Sequence, residues 1–518
     1  MEIELKLLVS AQGAAALRRH RLLKQHAIEP SHELDLSAIY FDTPDFQIRQ
    51  SGAGLRVRRS GGAWVQTFKA GGSVSGGLHS RHEWESPVDG PHPDLAILRG
   101  LVERGSIWHK LLRTPALARD IAPIFTARVA RTVWNLRLPP GDMVECVLDI
   151  GELDHGGVTA PISEIELELK SGSVAHLFDF ALALLQDIPM RTGALSKADR
   201  GYALCTPQAP LAVKAVPLAL SAHMTVEDAF QAIVANCMTQ IQANESGVSQ
   251  GHDVESLHQM RVGLRRLRSA LDLFAGVIRP APAMHEELEW LNAQLGTPRD
   301  WDVLCSATLP AIARAAPQEQ RLAAVTLGAL GKSHETHEAA AEAVGSPRYT
   351  RLILAFTRWL QASSWRDDMS AKSRKCLARP LQRFAEAVLA RRRQRLHKRA
   401  RGLAEASAFT RHRLRIAAKK SRYATEFFAA LYPARKVRRY VGALSALQDV
   451  LGNSNDAAVA ERLVTQLQEE QAGYSDAAGF VRGYLAAQGG DDAKQIARLW
   501  KKLAAVKAPV ERRNRQAP

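Results

Sequence analysis

Cysteine is sparse in this chain: five in 518 residues, at Cys146, Cys205, Cys237, Cys305 and Cys376. None stands near another at the spacing of a zinc or dithiol motif, so neither a disulfide framework nor a structural zinc site is supported. Reduced core thiols in a cytoplasmic protein are expected instead. Aromatic residues are scarce as well, at 6%, and few fall among the basic segments. Proteins that hold single-stranded nucleic acid stack bases on aromatic rings, so that partner is disfavoured, although charge alone would permit non-specific RNA binding. No apolar run approaches the ~18–20 residues of a membrane span, and the charged, strand-like opening predicts no signal peptide.

Positive charge is what the chain has in excess, and it is unevenly placed. Net charge is +16 overall; residues 1–205 carry 23 Lys+Arg against 24 Asp+Glu, whereas 206–518 carry 46 against 29. A polyanionic partner is therefore expected in the second part. The composition changes at "CTPQAPLAVKAVPLALSA", where Pro207, Pro210 and Pro217 read as a linker. Short alternating runs and Gly-rich turns come before it, and Ala/Leu/Arg-rich segments of helical period come after. The expected organisation is a β-rich domain over 1–205, a linker over 206–218 and a helical domain over 219–510.

The β-rich part concentrates charge of both signs on single strand faces. "MEIELKLLV" sets Glu2, Glu4 and Lys6 against Ile3, Leu5 and Leu7. Arg56 and Arg58 share a face, as do Arg81, Glu83 and Glu85; Glu145 pairs with Asp149, and Glu164, Glu166, Glu168 and Lys170 stand together. That distribution suits a closed barrel with a charged, water-filled interior. "AGGSVSGG" (70–77) lacks a following Gly-Lys-Ser/Thr, so it reads as a hairpin loop rather than a phosphate loop. His79 and His82 have no ligand partner at metal spacing and read as surface residues.

With "YFDTPD", "LRVR", "TFK", "GGLHSRHEWE", "RTVW", "VLDIGEL", "ISEIELELKSG" and "SKADRGY" following the Glu-x-Glu-x-Lys strand in order, residues 1–205 resemble the CYTH, or triphosphate tunnel metalloenzyme, family. The resemblance implies an eight-stranded antiparallel β-barrel that hydrolyses inorganic triphosphate with Mg²⁺ or Mn²⁺, as a bacterial inorganic triphosphatase does. Thiamine triphosphate hydrolysis and ATP cyclisation are alternatives in the same tunnel. A triphosphate carries four to five negative charges and needs several fixed cations, preferably guanidinium groups. Carried over by position, these are Lys6, Arg56, Arg58, Lys69, Arg81, Arg131, Lys197 and Arg200, with Arg131 preferred to Arg128 because the two face opposite sides of one strand. Hard oxygen ligands for the metal would come from Glu2, Glu4, Glu164, Glu166 and Glu168. The carboxylate that orients water is left between Glu4 and Asp149, beside Lys6.

The helical part repeats itself. In "ESLHQMRVGLRRLRS", His258, Arg261, Arg265 and Arg268 fall within about an 80° stripe of a helix, opposite Met260, Leu264, Leu267 and Leu271. His258, Arg261, Arg265, Arg266 and Arg268 are matched at identical offsets by His412, Arg415, Lys419, Lys420 and Arg422. "LGTPRDWDV" and "LGNSNDAAV" form a second pair carrying Asp300 and Asp456. These aspartates would either orient the basic side chains or cap helices near Gly296 and Gly452, and Asn455 stands where the first copy has Arg299. This double pattern resembles the CHAD family, which implies an all-α domain of two pseudo-symmetric four-helix bundles flanking a basic groove for inorganic polyphosphate. The whole would be a multidomain α+β protein, cytoplasmic, with association to polyphosphate granules a further expectation. A polyphosphate-binding protein with a weakly catalytic barrel is the alternative from another class. The run Arg391–Arg401 is basic all round and reads equally as an extension of the groove or as a solvated helix.

Overall fold

A computed structural model describes all residues except 208, 210, 251–252, 368, 402–406, 489–491 and 510–518. The chain divides into two compact units: residues 1–211 with 345–364, and 212–344 with 365–518. The strands are β1 (Glu2–Val9), β2 (His32–Asp42), β3 (Ala53–Ser60), β4 (Ala63–Ser75), β5 (Leu78–Val88), β6 (Ala122–Leu138), β7 (Asp142–His155), β8 (Val158–Ser171) and β9 (Met190–Thr192). The helices used below are α1 (Val174–Asp187), α2 (Lys197–Cys205), α3 (Val226–Gln242), α4 (Val254–Phe274), α5 (Gly296–Val303), α6 (Pro347–Gln361), α7 (Leu381–Arg399), α8 (Ala408–Phe427) and α9 (Ala434–Glu470).

In the first unit the strands follow the order β5-β4-β3-β2-β6-β7-β8-β1, and a further β5–β1 pairing closes the ring into an eight-stranded antiparallel barrel. Closure leaves no open edge between β1 and β5. The inner half of β1 pairs with β5 over Glu2–Leu5, while Leu7–Val9 pair with β9. The apolar side of this barrel faces outward. Leu5, Leu7, Cys146, Leu148, Ile165 and Leu167 are buried against Leu177, Phe178, Ala181 and Leu184 of α1, so the charged alternate positions are left to line the interior. The hairpin turn expected over 70–77 is confined to Gly76 and Gly77, both at positive φ (62° and 79°). Residues 70–75 instead continue β4 through a bulge between Ala70 and Ser73, because β5 pairs with β4 again from Ser80 to Leu78.

Helix α6 joins this unit although it lies far along the sequence. Leu354 is fully buried in the same core as α1, and the Arg358 guanidinium grips Asp179 of α1 through Nε (2.5 Å) and Nη2 (2.9 Å).

The second unit is built from helices. On α4 the apolar stripe Met260, Leu264 and Leu267 is wholly buried, while His258, Arg261, Arg265 and Arg268 stay partly exposed. Leu414 and Ala418 bury the matching edge of α8. One core gathers Trp301, Leu304, Ile312, Val325, Leu463 and Val464; another gathers Leu396, Leu414, Leu444, Leu447 and Ile496. Among the described residues no helix is long and apolar enough to cross a membrane. All five cysteines are free, with Cys146 and Cys237 buried and the others half-buried.

Candidate functional site

The barrel encloses a cavity of 530 Å³. Register fixes what lines it. Glu4 of β1 stands opposite Glu168 of β8, which stands opposite Glu145 of β7; one step along, Lys6 faces Glu166. On the far wall Gly54 and Glu83 flank Lys69, and Arg56 and Glu85 flank Thr67. Helix α2 contributes Lys197 at its first position. A capping box fixes that start: the Ser196 hydroxyl accepts from the Asp199 amide and the Asp199 carboxylate from the Ser196 amide. The same helix carries Tyr202, whose hydroxyl donates to Asp42 (2.7 Å); Asp42 also accepts the amides of Ile48 and Arg49 at 2.9 Å. The distant "YFDTPD" and "SKADRGY" segments are thus one structural joint.

At the closed side three carboxylates meet three cations. Asp149, Glu164 and Glu166 bring one oxygen each within 4.8 Å of one another. Lys6 Nζ bonds Glu166 and lies 3.1 Å from Glu164; Lys197 Nζ lies 2.5 Å from Glu164 and 2.6 Å from Asp149. Arg131 holds Asp149 with a two-pronged contact (2.8 and 2.6 Å) and reaches Glu166 at 3.0 Å. Burial opposes the charge on Lys6, yet Glu166 and Glu164 outweigh it and lift the ammonium above the ordinary lysine value. Burial would raise Glu166, but Lys197, Lys6 and Arg131 drive it well below the usual carboxylate range. Asp149 is lowered in the same way, burial being overcome by Lys197 and Arg131.

The rest of the lining is less committed. Arg56 and Arg58 each bury an Nε that meets no partner among the described residues. Burial, with Arg56 and Arg131 nearby, lowers the pKa of Arg58, whereas at Arg56 burial is outweighed by Tyr40 and Glu83 and the pKa is raised. Glu4 is raised by burial and by Glu166, its nearest cation being Lys6 at 3.9 Å. Lys69 bonds Glu2 at 2.6 Å and Glu83 at 3.2 Å. Burial, reinforced by Glu2 and Glu85, pushes the Glu83 carboxyl up to about 7 despite Lys69.

The interior therefore brings together Glu2, Glu4, Lys6, Arg56, Arg58, Lys69, Arg81, Arg131, Glu166, Glu168 and Lys197 from the sequence-based set. Three members sit differently. Glu164 is wholly buried behind the lining, and Asp149 has both oxygens occupied by Arg131 and Lys197. Arg200 turns to Glu164 at 3.3 Å and to the Pro161 carbonyl, and does not line the cavity. His79 corrects the surface reading. It is 1% exposed, its Nε2 is 2.8 Å from the Gly193 carbonyl, and burial beside Lys6 pushes it down to about 4. It shares strand parity with Arg81, Glu83 and Glu85, a signal already in the sequence. His82 is half-buried and stacks on Trp84 at 5.7 Å. Tyr40, Arg49, Thr67 and Tyr202 also line the cavity and were missed, since single neutral or isolated residues give no pattern.

In the helical unit, the basic stripes of α4 and α8 converge. Lys419 is pushed down to about 8, first by burial and then by Arg415 and Arg265; Arg261 is pushed down to about 10 by burial and Arg265. Buried Nε atoms of Arg265 and Arg415 have no partner among the described residues, nor has Nδ1 of His258. Asp456 lies 3.8 Å from Arg415, and Asp300 lies 3.2 Å from Arg462. Both aspartates sit inside helices, α5 and α9, so neither caps one. The Asn455 side chain lies outside the described residues.

Other members of the repeat are diverted. Arg266 is 9% exposed and donates to Gln240 and Asn236 of α3, both at 2.7 Å. Lys420 pairs with Asp272 (3.2 Å), Arg268 with Glu289 (2.5 Å), and Arg422 lies over the Tyr423 ring. His412 is exposed.

Comparison with known proteins names the two units' families. Residues 1–202 match the CYTH domain model and residues 232–465 the CHAD domain model. The chain carries a CYTH domain followed by a CHAD domain. It is 36% identical over 208 residues to an inorganic triphosphatase of Haemophilus influenzae, a stretch that spans 40% of this chain and 56% of that protein. The crystal structure of the CHAD domain from Ricinus communis is 40% identical, with a TM-score of 0.52, covering 58% of this chain and 99% of its own. A putative adenylyl cyclase from Hippeastrum with a dominant triphosphatase activity is 22% identical, with a TM-score of 0.30, covering 39% of this chain and 96% of its own.

Proposed function

We propose that the barrel interior hydrolyses inorganic triphosphate to pyrophosphate and phosphate, and that the helical unit binds inorganic polyphosphate. The lining of the barrel carries the first half. Lys6, Arg56, Arg58, Lys69, Arg131 and Lys197 converge from several strands and α2, while Val74 and Val147 are its aliphatic side chains larger than alanine. Its two aromatic members, Tyr40 and Tyr202, are buried, one stacked on Phe125 and the other tied to Asp42, so the wall recognises phosphoryl oxygens and offers little to an adenine or thiamine moiety.

A divalent cation fits the donors present. They are carboxylate oxygens: Glu145, Glu168 and Glu4 stand directly opposite one another across three strands, and although Lys170 bridges Glu168 (2.8 Å) and Glu145 (3.6 Å), Glu4 has no cation nearer than Lys6 at 3.9 Å. Glu2, Glu4 and Glu168 would hold Mg²⁺ or Mn²⁺, because both oxygens of Glu166, like those of Asp149, are taken by Lys6, Lys197 and Arg131. When bound, the ion supplies charge neutralisation and polarisation of phosphoryl oxygens. The chain's own groups do the rest. Arg56 and Arg58 offer unpartnered donors to the phosphates, and Arg131, Lys6 and Lys197 are held in place by Asp149, Glu164 and Glu166. Glu4 is the carboxylate left to orient the attacking water, because Asp149 has no free oxygen for it.

The helical reading rests on the unpartnered Nε atoms of Arg265 and Arg415 and on the depressed Lys419, a set of crowded cations that a polyanion relieves. A protein so equipped would associate with polyphosphate granules in the cytoplasm. The test is an assay of the purified chain against tripolyphosphate, thiamine triphosphate, ATP and long-chain polyphosphate, with Mg²⁺ and with Mn²⁺. Tripolyphosphate should be turned over fastest. Faster turnover of thiamine triphosphate, or cyclisation of ATP, would refute the inorganic assignment.

A further inference from the structure

Helix α7 carries the basic run that neither the barrel nor the α4–α8 stripes use. One face of it changes character along its length: Phe384, Ala387 and Val388 come first, then Arg391, Arg392 and Arg395. That face lines a cavity of 1310 Å³ whose other walls include Leu273, Phe274 and Val277, from the end of α4 and the turn after it. Phe274 and Phe384 stack on one another at 5.0 Å within its wall, Phe274 fully buried and Phe384 half-buried. Arg392 and Arg395 also line a second cavity of 550 Å³, shared with Lys398, Arg399, Arg413 and Lys420. The two spaces share Arg392 and Arg395 and form one track: most of its apolar side chains line the first, where Arg279, Arg379 and Arg383 stand beside them, and the second is predominantly cationic.

Within the track Asp272 is the one carboxylate, and it is already engaged by Arg392 at 2.7 Å and Lys420 at 3.2 Å. Among the described residues Arg391 and Arg395 have no ion-pair partner. Gln382 is the neutral amide of the lining, so there is almost nothing to read a base or a sugar by hydrogen bonds. An apolar recess with aromatic walls is where a protein takes an apolar ligand, and the guanidinium cluster at its mouth selects an anion.

We propose that this track binds an amphipathic phosphate, a single aliphatic chain esterified to a phosphoryl group, with the chain against Phe384, Ala387 and Val277 and the head among Arg391, Arg395 and Arg413. The apolar end is recessed in a cavity, which suits one chain rather than the surface of a bilayer. This site is separate from the Arg265–Lys419 cluster and does not depend on the activity proposed for either unit.

The experiment is calorimetric titration of the full chain with hexyl, octyl and dodecyl phosphate below their micelle concentrations. Dodecanol, inorganic phosphate and phosphatidic acid vesicles serve as the other arms. Each added methylene buried should tighten binding roughly fourfold, so dodecyl phosphate, four methylenes longer, should bind on the order of a hundredfold more tightly than octyl phosphate. Arg391→Gln with Arg395→Gln should weaken dodecyl phosphate at least tenfold. Ala387→Trp, which fills the apolar end from a surface position, should abolish the chain-length dependence while leaving binding of inorganic phosphate unchanged. Arg261→Gln with Arg265→Gln should leave dodecyl phosphate binding intact. Affinity independent of chain length, dodecanol binding as tightly as the phosphate, or binding to vesicles alone would each overturn the proposal.

Discussion

Replacing Leu354 by alanine tests the most unexpected contact in the fold. Leu354 lies at position 354, surrounded in sequence by the helical unit, yet it is 0% exposed in the core formed with Leu177, Phe178 and Leu184 of α1. Truncating a fully buried leucine costs the transfer energy of the lost carbons plus that of the cavity, about 3 kcal/mol. For a unit of this size that corresponds to a fall of roughly 6–12 °C in its melting temperature. The neighbouring Arg358–Asp179 pair is partly exposed on both sides, so Arg358→Ala should cost less than about 1 kcal/mol. Hydrogen exchange read by mass spectrometry localises the effect: amides of α1 and β9 should exchange faster in Leu354→Ala, while those of α3 and α4 should not change. A fragment ending at residue 211 lacks α6 altogether. It should be less stable than the intact unit and should be rescued by a peptide of residues 345–364. Unchanged protection of α1 in Leu354→Ala, with faster exchange in α3 or α4 instead, would refute the assignment of α6 to the barrel unit.

Other outcomes follow from single distances. Glu4→Gln should abolish triphosphate turnover with the circular dichroism spectrum unchanged; near-normal rates at saturating Mg²⁺ would remove Glu4 from the mechanism. Gly193→Ala should also lower turnover, because its new Cβ would come within 2.7 Å of Lys6 Cγ, and unaltered kinetics would show that Lys6 is not held by that contact. Arg266→Ala should destabilise the helical unit by about 2 kcal/mol by stranding Gln240 and Asn236; Arg265→Ala should instead weaken polyphosphate binding with little change in melting temperature. Lys419 titrates near 8 in the free protein, below its unfolded value, so its contribution to stability rises with pH from about 8 towards 10.5. A bound polyanion raises that pKa again. Titrations at pH 9 in buffers of different ionisation enthalpy should therefore show proton uptake on polyphosphate binding, absent in Lys419→Met. Equal uptake in that variant would assign the proton elsewhere.

How much of this could be read in the sequence varies with the kind of signal. Strand alternation in "MEIELKLLV" set Glu2, Glu4 and Lys6 on one face, and the structure turns that face inward. The same period-two rule would have put His79 inward, but a lone histidine without a ligand partner was read as surface. The repeat placed His258, Arg261 and Arg265 in line with His412, Arg415 and Lys419, because helical period and offset carry that information. It could not separate Arg266, which lies about 100° from Arg265 around the helix and packs against α3. Asp149 and Glu164 looked like their neighbours in sequence, and only three-dimensional pairing with Arg131, Lys6 and Lys197 removed their oxygens from use. Nothing in "PRYTRLILAFTRWLQ" says which core its apolar face will enter. Amphipathicity specifies a helix and a buried side, not the partner.

The placement of α6 also sets a timetable. By the time residue 211 leaves the ribosome, every strand of the barrel exists, but the helix that covers α1 does not. A further 153 residues must be made before residue 364, which takes roughly 8–30 s at typical rates of synthesis. During that interval the side of α1 that receives α6 is uncovered, and the contacts that finish the unit span a long loop with a correspondingly slow closure. Of the two units, the one whose strands are translated earlier is thus the later to be completed, and its uncovered helix face is where a ribosome-associated holdase would bind.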